Sequence, residues 1–366
     1  MKLTNGIPIA NYFDEEIHKK EMECFFKNTT QYIGATSMLK KDGDYRVIER
    51  LNDSKILTRK NGKLHLIENV CSHRQAKMVS GSGHNQNITC PLHNWSYNGE
   101  GKCTNTPFFE GCKKDYSLSQ STFENWHDLL FTGKCHFTEE LKNFNLAEEM
   151  NIEKMVYTKT FTDHLNFNWK NYIDGFAEDY HVPFVHPGFA GFVNLKSISW
   201  IDHEHYTSQI FKLKDRSFLE THQTTPKYQR WIKEFLNFYP DKLPKYGGIL
   251  IMYYPNIMIE WYPLFMAIST IHPTGPETCV NHIDFFHHQE VIDNYPELQE
   301  AAEAAYIETA DEDSEMCLRL AAGRKILYQD HLEEQGPYQS PYEDGLVMFH
   351  RYYHQMMKQL NKEPAG

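Results

Sequence analysis

Along residues 11 to about 27 (NYFDEEIHKKEMECFFK), Tyr12, Ile17, Met22 and Phe25 recur at roughly helical spacing with charged positions between them. That pattern predicts an N-terminal helix. From about 36 to 135 the period changes to short runs, YRVIERL, KILTRK and KLHLIENV, separated by the turn signals KDGD and KNGK. A small antiparallel β domain reads this way. Beyond 136, helix-like segments such as FNWKNYIDGFAEDYH mix with the strand-like GGILIMYY, IMIEWY and FMAISTIH, and a long acidic helical stretch, ELQEAAEAAYIETADEDSEMCLRLAAGRKIL, follows. A sheet in the middle with a helix after it is an α+β arrangement. The chain therefore divides into an N-terminal helix within 1–35, which packs on the last region, a β domain over 36–135 and an α+β domain over 136–366.

Length supports more than one domain, because 366 residues exceed the roughly 150 typical of one. Apolar residues make up 40% of the chain, with 23 Phe, 22 Tyr and 6 Trp, so a large core is available and disorder is excluded. Against 37 Lys and Arg stand 49 Asp and Glu, a net charge of −12 that gives no general attraction for nucleic acid. The first residues, MKLTNGIPIANYFDEE, hold no apolar run of signal-peptide length, and a cytoplasmic location is expected. The most apolar stretch, residues 247–273, is interrupted by Pro255, Asn256, Glu260 and Pro263. It predicts consecutive strands and no membrane span. Eight cysteines, at 24, 71, 90, 103, 112, 135, 279 and 317, are then thiols or metal ligands.

Four residues carry the first chemistry. The segment VCSHRQAKMVSGSGHNQNITCPLHNW holds Cys71-x-His73, sixteen intervening residues, then Cys90-x-x-His93. A Cys₂His₂ zinc finger pairs its two Cys and, separately, its two His. Here each half offers one thiolate and one imidazole, as a Rieske [2Fe-2S] cluster requires, one iron taking both Cys and the other both His. A zinc site is the competing reading. In a second segment, NWKNYIDGFAEDYHVPFVHPGF, His181 and His186 stand five apart, and the acidic run Asp311-Glu312-Asp313 offers carboxylates. Two His and one carboxylate on one face of an Fe(II) ion leave positions open for O₂. Taken alone, the acidic run reads as a solvated helix face.

CSHR and CPLHNWSYN resemble the two cluster loops of Rieske oxygenases, and Ala76 and Leu92 stand where respiratory Rieske proteins carry further cysteines. NWK, Glu-x-Tyr-His-Val and His-Pro resemble the mononuclear-iron motif of Rieske non-haem iron oxygenase α subunits. Together these motifs span most of residues 36 to 355, and the tail GPYQSPYEDGLVMFHRYY is similar to the short α subunits acting on choline- and carnitine-like compounds. The resemblance implies an N-terminal Rieske all-β domain and a helix-grip (START-like) catalytic domain. It places the iron on His181, His186 and Asp313, with Asp311 as runner-up, because Gly323-Arg324 follow the acidic run at the family's interval. One departure is Gly175, where many members have Asn.

The implied reaction is monooxygenation or dioxygenation of a small organic molecule by O₂ at Fe(II). The chain has neither GxGxxG nor a second Cys₄ set, so a separate flavin- or ferredoxin-type reductase must supply the electrons. The resemblance further implies a head-to-tail homotrimer in which one subunit's cluster serves the next subunit's iron. Glu178, three residues before His181, would span to His93 of the next subunit, with Asp179 as runner-up. Tyr253, Tyr254, Trp261 and Tyr262 are candidates for a cavity wall that could hold a trimethylammonium compound or an aromatic ring, while ordinary sheet core is the competing reading.

Overall fold

A computed structural model of the chain describes residues 6–27, 29–110, 113–134 and 136–360. Cys112 and Cys135 lie outside the described residues. Two compact units are present, one of Asn28–Asn145 and one combining Met1–Lys27 with Leu146–Gly366.

The smaller unit is built from antiparallel sheets of three, five and three strands. Its central strands are buried on both faces. Lys55–Lys60 and Lys63–Glu68 send Ile56 and Ile67 into one apolar cluster and their neighbours Leu57 and Leu66 into another. Alternation along a strand makes that division unavoidable. Each of these four side chains contributes roughly 1.5–3 kcal/mol of burial. The boundaries expected at 36 and 135 move outward for a reason of pairing. Gln31–Ala35 is the ladder partner of Leu129–Thr132, and Phe137 stacks on Phe131 at 3.7 Å, so both flanks belong to the β unit.

In the larger unit a seven-stranded antiparallel sheet carries Ile257–Tyr262 at its centre. From the second strand on, sequence neighbours pair, four of the pairings made antiparallel by a direct return and one, Tyr206–Leu213 with Gly248–Tyr253, across a connection that carries the helices Arg216–Thr221 and Pro226–Phe238, while the first strand, Met155–Leu165, pairs with the last, Thr278–His288. The 34-residue helix Pro296–Gln329, about 51 Å long at 1.5 Å per residue, lies against the helices Trp169–Phe176 and Pro226–Phe238. Gly175 marks one close approach: a Cβ there would come within 2.8 Å of Met316.

Buried charge ties the N-terminal segment to this unit. The α-helix Glu15–Glu21 continues as a turn of π-helix over Met22–Phe26. Glu21 pairs with Lys170 at 2.8 Å with both side chains fully buried, and it also accepts from Trp169 and Tyr353. Asn168 caps the helix that Trp169 and Lys170 begin, so the NWK triplet starts a helix and anchors another. Arg324 is likewise structural here, pairing with Asp174 at 2.7 Å.

Candidate active site

The helix Trp169–Phe176 stops at Ala177, and the chain turns back through two short helices, Val182–Val185 and Pro187–Phe192. Pro183 sits in a first turn, where its missing N–H costs nothing. His181 and His186 flank Val182–Val185, and Asp313 reaches them from the long helix. Their donor atoms converge. His181 Nε2 is 3.0 Å from His186 Nε2, and Asp313 Oδ1 lies 2.9 Å from His186 Nε2 and 3.5 Å from His181 Nε2. Donors side by side at about 2.1 Å from one metal stand about 3 Å apart, so the three fit a facial metal site. Among the described residues, no other group of His, Cys, Asp or Glu converges in this way. Asp311 is exposed and stands outside the group.

Two carboxylates orient the rings. Glu178 accepts from His181 Nδ1 and from the backbone N–H of His181. Glu312 accepts from His186 Nδ1 at 2.8 Å. With each Nδ1 proton held, each Nε2 is presented as a lone pair, the arrangement that metal-binding histidines use. Burial opposes charge on His181, but Asp313 and Glu178 outweigh it and hold the ring up to about 10. Burial also works to raise Asp313, yet His181 and His186 keep it at about 2. A divalent cation would replace those shared protons. Asp179 does different work, accepting from Trp200 Nε1 at 2.8 Å and Gln209 Nε2 at 2.6 Å.

The three donors face a cavity whose empty space, open mouth included, is about 770 Å³. Tyr172, Phe189, Tyr228, Trp231, Tyr262 and Phe265 line much of it. Of the four aromatics expected as possible wall, only Tyr262 is there. Trp261 points to the opposite face of its strand, and Tyr254 stacks on Tyr352 at 4.5 Å in the core.

In the β unit the two cluster loops repeat one backbone design. The N–H of Cys71 bonds Ala76 and that of Cys90 bonds Trp95, each five residues on. Gln75 and Asn94, four residues on, return N–H bonds to the cysteine carbonyls with φ of 54° and 55°. Cys71 and Cys90 are buried, and burial together with the adjacent Cys71 raises the Cys90 thiol. His73 and His93 meet ring to ring at 4.7 Å, and His73 Nδ1 is buried without a partner among the described residues. An orphaned imidazole nitrogen facing a second histidine, in the loop that also carries the buried Cys71, fits a cluster that ligates it. Trp95 stacks under His73 at 4.6 Å, and the Tyr97 hydroxyl lies 3.2 Å from Cys71 Sγ.

Sequence reasoning passed over Tyr97, Gln209 and Tyr306, and it named Glu312 only as one of three carboxylates in an acidic run. Only Glu312 had a visible signal, its place beside Asp313. Glu260 was noted merely as an interruption of an apolar run, yet it also lines the cavity.

A helix-grip unit with a two-His, one-carboxylate site, following a β unit with paired Cys/His loops, defines a Rieske-type non-haem iron oxygenase. Residues 152–359 match the ring hydroxylating alpha subunit (catalytic domain) family and residues 29–117 the Rieske [2Fe-2S] domain, and the chain belongs to the ring-hydroxylating α-subunit family. It is 37% identical to a putrescine 2-hydroxylase of Ralstonia nicotianae, covering 96% of this chain and 95% of that one. A second putrescine 2-hydroxylase, from Bordetella bronchiseptica, is 32% identical over 96% and 84%. Among solved structures, a quaternary ammonium Rieske monooxygenase described with inter-subunit electron transfer superposes with a TM-score of 0.76 at 20% identity, covering 96% of this chain and 95% of that one. The chain is thus a terminal oxygenase that hydroxylates a small organic substrate with O₂ and reductase-supplied electrons, and its cofactors are a Rieske [2Fe-2S] cluster and a mononuclear iron. No described helix is long and apolar enough to cross a membrane.

Proposed function

We propose that this oxygenase hydroxylates an aliphatic C–H bond of a small aliphatic amine, with 1,4-diaminobutane (putrescine) as the first candidate. The observation that carries the reading is the cavity itself: Nε2 of His181, Nε2 of His186 and Asp313 open onto a cleft with a largely aromatic wall. Two relatives above 30% identity act, by their names, on putrescine.

In this reading His181, His186 and Asp313 hold the iron, while Cys71, His73, Cys90 and His93 hold the cluster. Bound iron supplies O₂ activation. The protein's part is to hold each histidine's Nδ1–H donating to its carboxylate, Glu178 or Glu312, and to fix the His181 loop through the bonds of Asp179 to Trp200 and Gln209. The aromatic wall excludes bulk water and sets the substrate's approach. A separate flavin- or ferredoxin-type reductase is the electron donor. The working assembly is a head-to-tail homotrimer in which Glu178 of one subunit meets His93 of the next. None of the six described cysteines is in a disulfide, which supports a reducing, cytoplasmic setting. Residues 29–145 carry the cluster, and residues 1–27 with 146–366 carry the iron.

Oxygen uptake with a surrogate reductase and NAD(P)H, measured on 1,4-diaminobutane, choline, L-carnitine and naphthalene, tests the proposal. Uptake with a hydroxylated diamine as product is expected. Uptake only with naphthalene, giving a ring diol, would replace the reading by aromatic dioxygenation.

A further inference from the structure

One buried acid on the cavity wall has no part in holding the metals or orienting their ligands. Glu260 stands in the strand Ile257–Tyr262, all six residues of which are buried. Side chains alternate along a strand, so Glu260 and Tyr262 share the cavity face while Trp261 points away. Across the sheet Glu260 is level with Leu250 and Ala267, and Gln209 follows Leu250 in the same row. Gln209 and Leu250 line the cavity too.

Its hydrogen bonding is incomplete. Tyr306 donates to Oε1 at 2.7 Å, and Tyr262 approaches Oε2 at 3.4 Å, long for an O–H···O bond. An ionised carboxylate offers about four acceptor sites. Among the described residues no cationic side chain is paired with it. With Glu260 only 6% exposed, burial pushes its carboxyl up to about 8, the Tyr306 bond pulls it down and the charge of Asp313 raises it again. An ionised carboxylate in such a place is strongly unfavourable until a counter-charge arrives.

We propose that Glu260 is the specificity-determining residue of this cavity, its carboxylate receiving a primary ammonium group of the substrate. Tyr262, Phe265 and Tyr306 surround the acid, with ring centroids 6.0 Å apart for Tyr262 and Phe265 and 5.7 Å for Phe265 and Tyr306. Their faces attract a cation and keep water from the ion pair. A primary ammonium has three N–H donors for the acceptor sites that the tyrosines leave. A trimethylammonium has none, so this wall selects primary amines over choline-like compounds. The inference rests on the amine-hydroxylase reading above and adds the residue that makes the choice.

Calorimetric titration of the anaerobic holoprotein with 1,4-diaminobutane, 1-aminobutane, choline, 1-butanol and naphthalene tests it. Wild type should bind the primary amines about 30-fold or more tightly than 1-butanol, and E260Q should lose about that factor for the amines alone. The Rieske absorption and the nitric-oxide EPR signal of the iron should be unchanged in E260Q, and E260D should recover part of the affinity. Equal amine binding by E260Q and wild type overturns the anchor, because Gln reproduces a protonated acid held by tyrosines. Should E260Q fail to fold, the wild-type preference decides: amines bound no better than 1-butanol also overturn it. If wild type hydroxylates amines while E260Q binds them normally, only the anchor falls. If wild type binds no amine but binds naphthalene, the amine reading falls with it.

Discussion

In the cluster loops the backbone does most of the positioning, whereas around His181, His186 and Asp313 the side chains do it. Each loop closes on its own N–H and carbonyl groups within five residues of its cysteine, with Gln75 or Asn94 in the left-handed region, and the same turn is made twice. The other site gathers residues from the turn after one helix and the middle of another, 127 positions apart for His186 and Asp313. Its geometry depends on carboxylates, Glu178 and Glu312, that hold the rings from behind. A loop of the first kind tolerates change in its surroundings, while a site of the second kind transmits the loss of any one partner to the metal.

The largest effects should come from the donors themselves. Asp313→Ala should abolish turnover and lose mononuclear iron while keeping the Rieske spectrum. Cys71→Ser should do the converse, losing visible absorption and keeping the other iron. Metal analysis with absorption spectra checks both, and full activity in Asp313→Ala would move the role to Asp311. Next in size is Glu178→Gln, expected to retain both metals but to lose turnover roughly 10- to 100-fold. Near-normal coupled activity, or a monomer that turns over, would remove Glu178 from the electron path. Glu312→Ala should weaken iron binding about tenfold, read by chelator competition, with His73 and His93 unaffected.

A smaller effect separates the two units by pH. Asp174 is buried in the catalytic unit and burial works to raise it, but Arg324, then His350 and Tyr12, hold it at about 2. A carboxyl depressed in the folded state stabilises above its ordinary value and loses that contribution as pH falls through about 4 to 2. About 2 kcal/mol of the catalytic unit's stability should vanish there, and Asp174→Asn should flatten that slope in acid melting curves. The smallest concerns the cluster loop. Tyr97→Phe removes the hydroxyl beside Cys71 Sγ, which favours the more negative reduced state, and the Rieske potential should drop by about 50 mV in a redox titration.

Legibility followed distance along the chain. The proposed cluster quartet stood out because rare residue types fall at short spacing in two loops. His181 and His186 were readable for the same reason, and the family motif was needed to choose Asp313. Tyr97, Tyr306 and Gln209 gave no sign, since nothing in a lone Tyr or Gln says which donor it will meet. At Tyr254 and Trp261 the ordinary-core reading held, and only the structure could single out Tyr262 as wall, because an alternating strand buried on both faces does not reveal which parity meets the cavity.

The amino-acid sequence by itself determined the two-part architecture and singled out the proposed cluster loops and the proposed iron histidines, because each depends on spacing within a few residues. Only the tertiary structure decided that Glu312 orients His186, that Asp311 stays in solvent, and that Glu260 faces the cavity. Those outcomes depend on how the 34-residue helix and the central sheet meet, and burial, which sets the energy of every one of these carboxylates, exists only after that meeting.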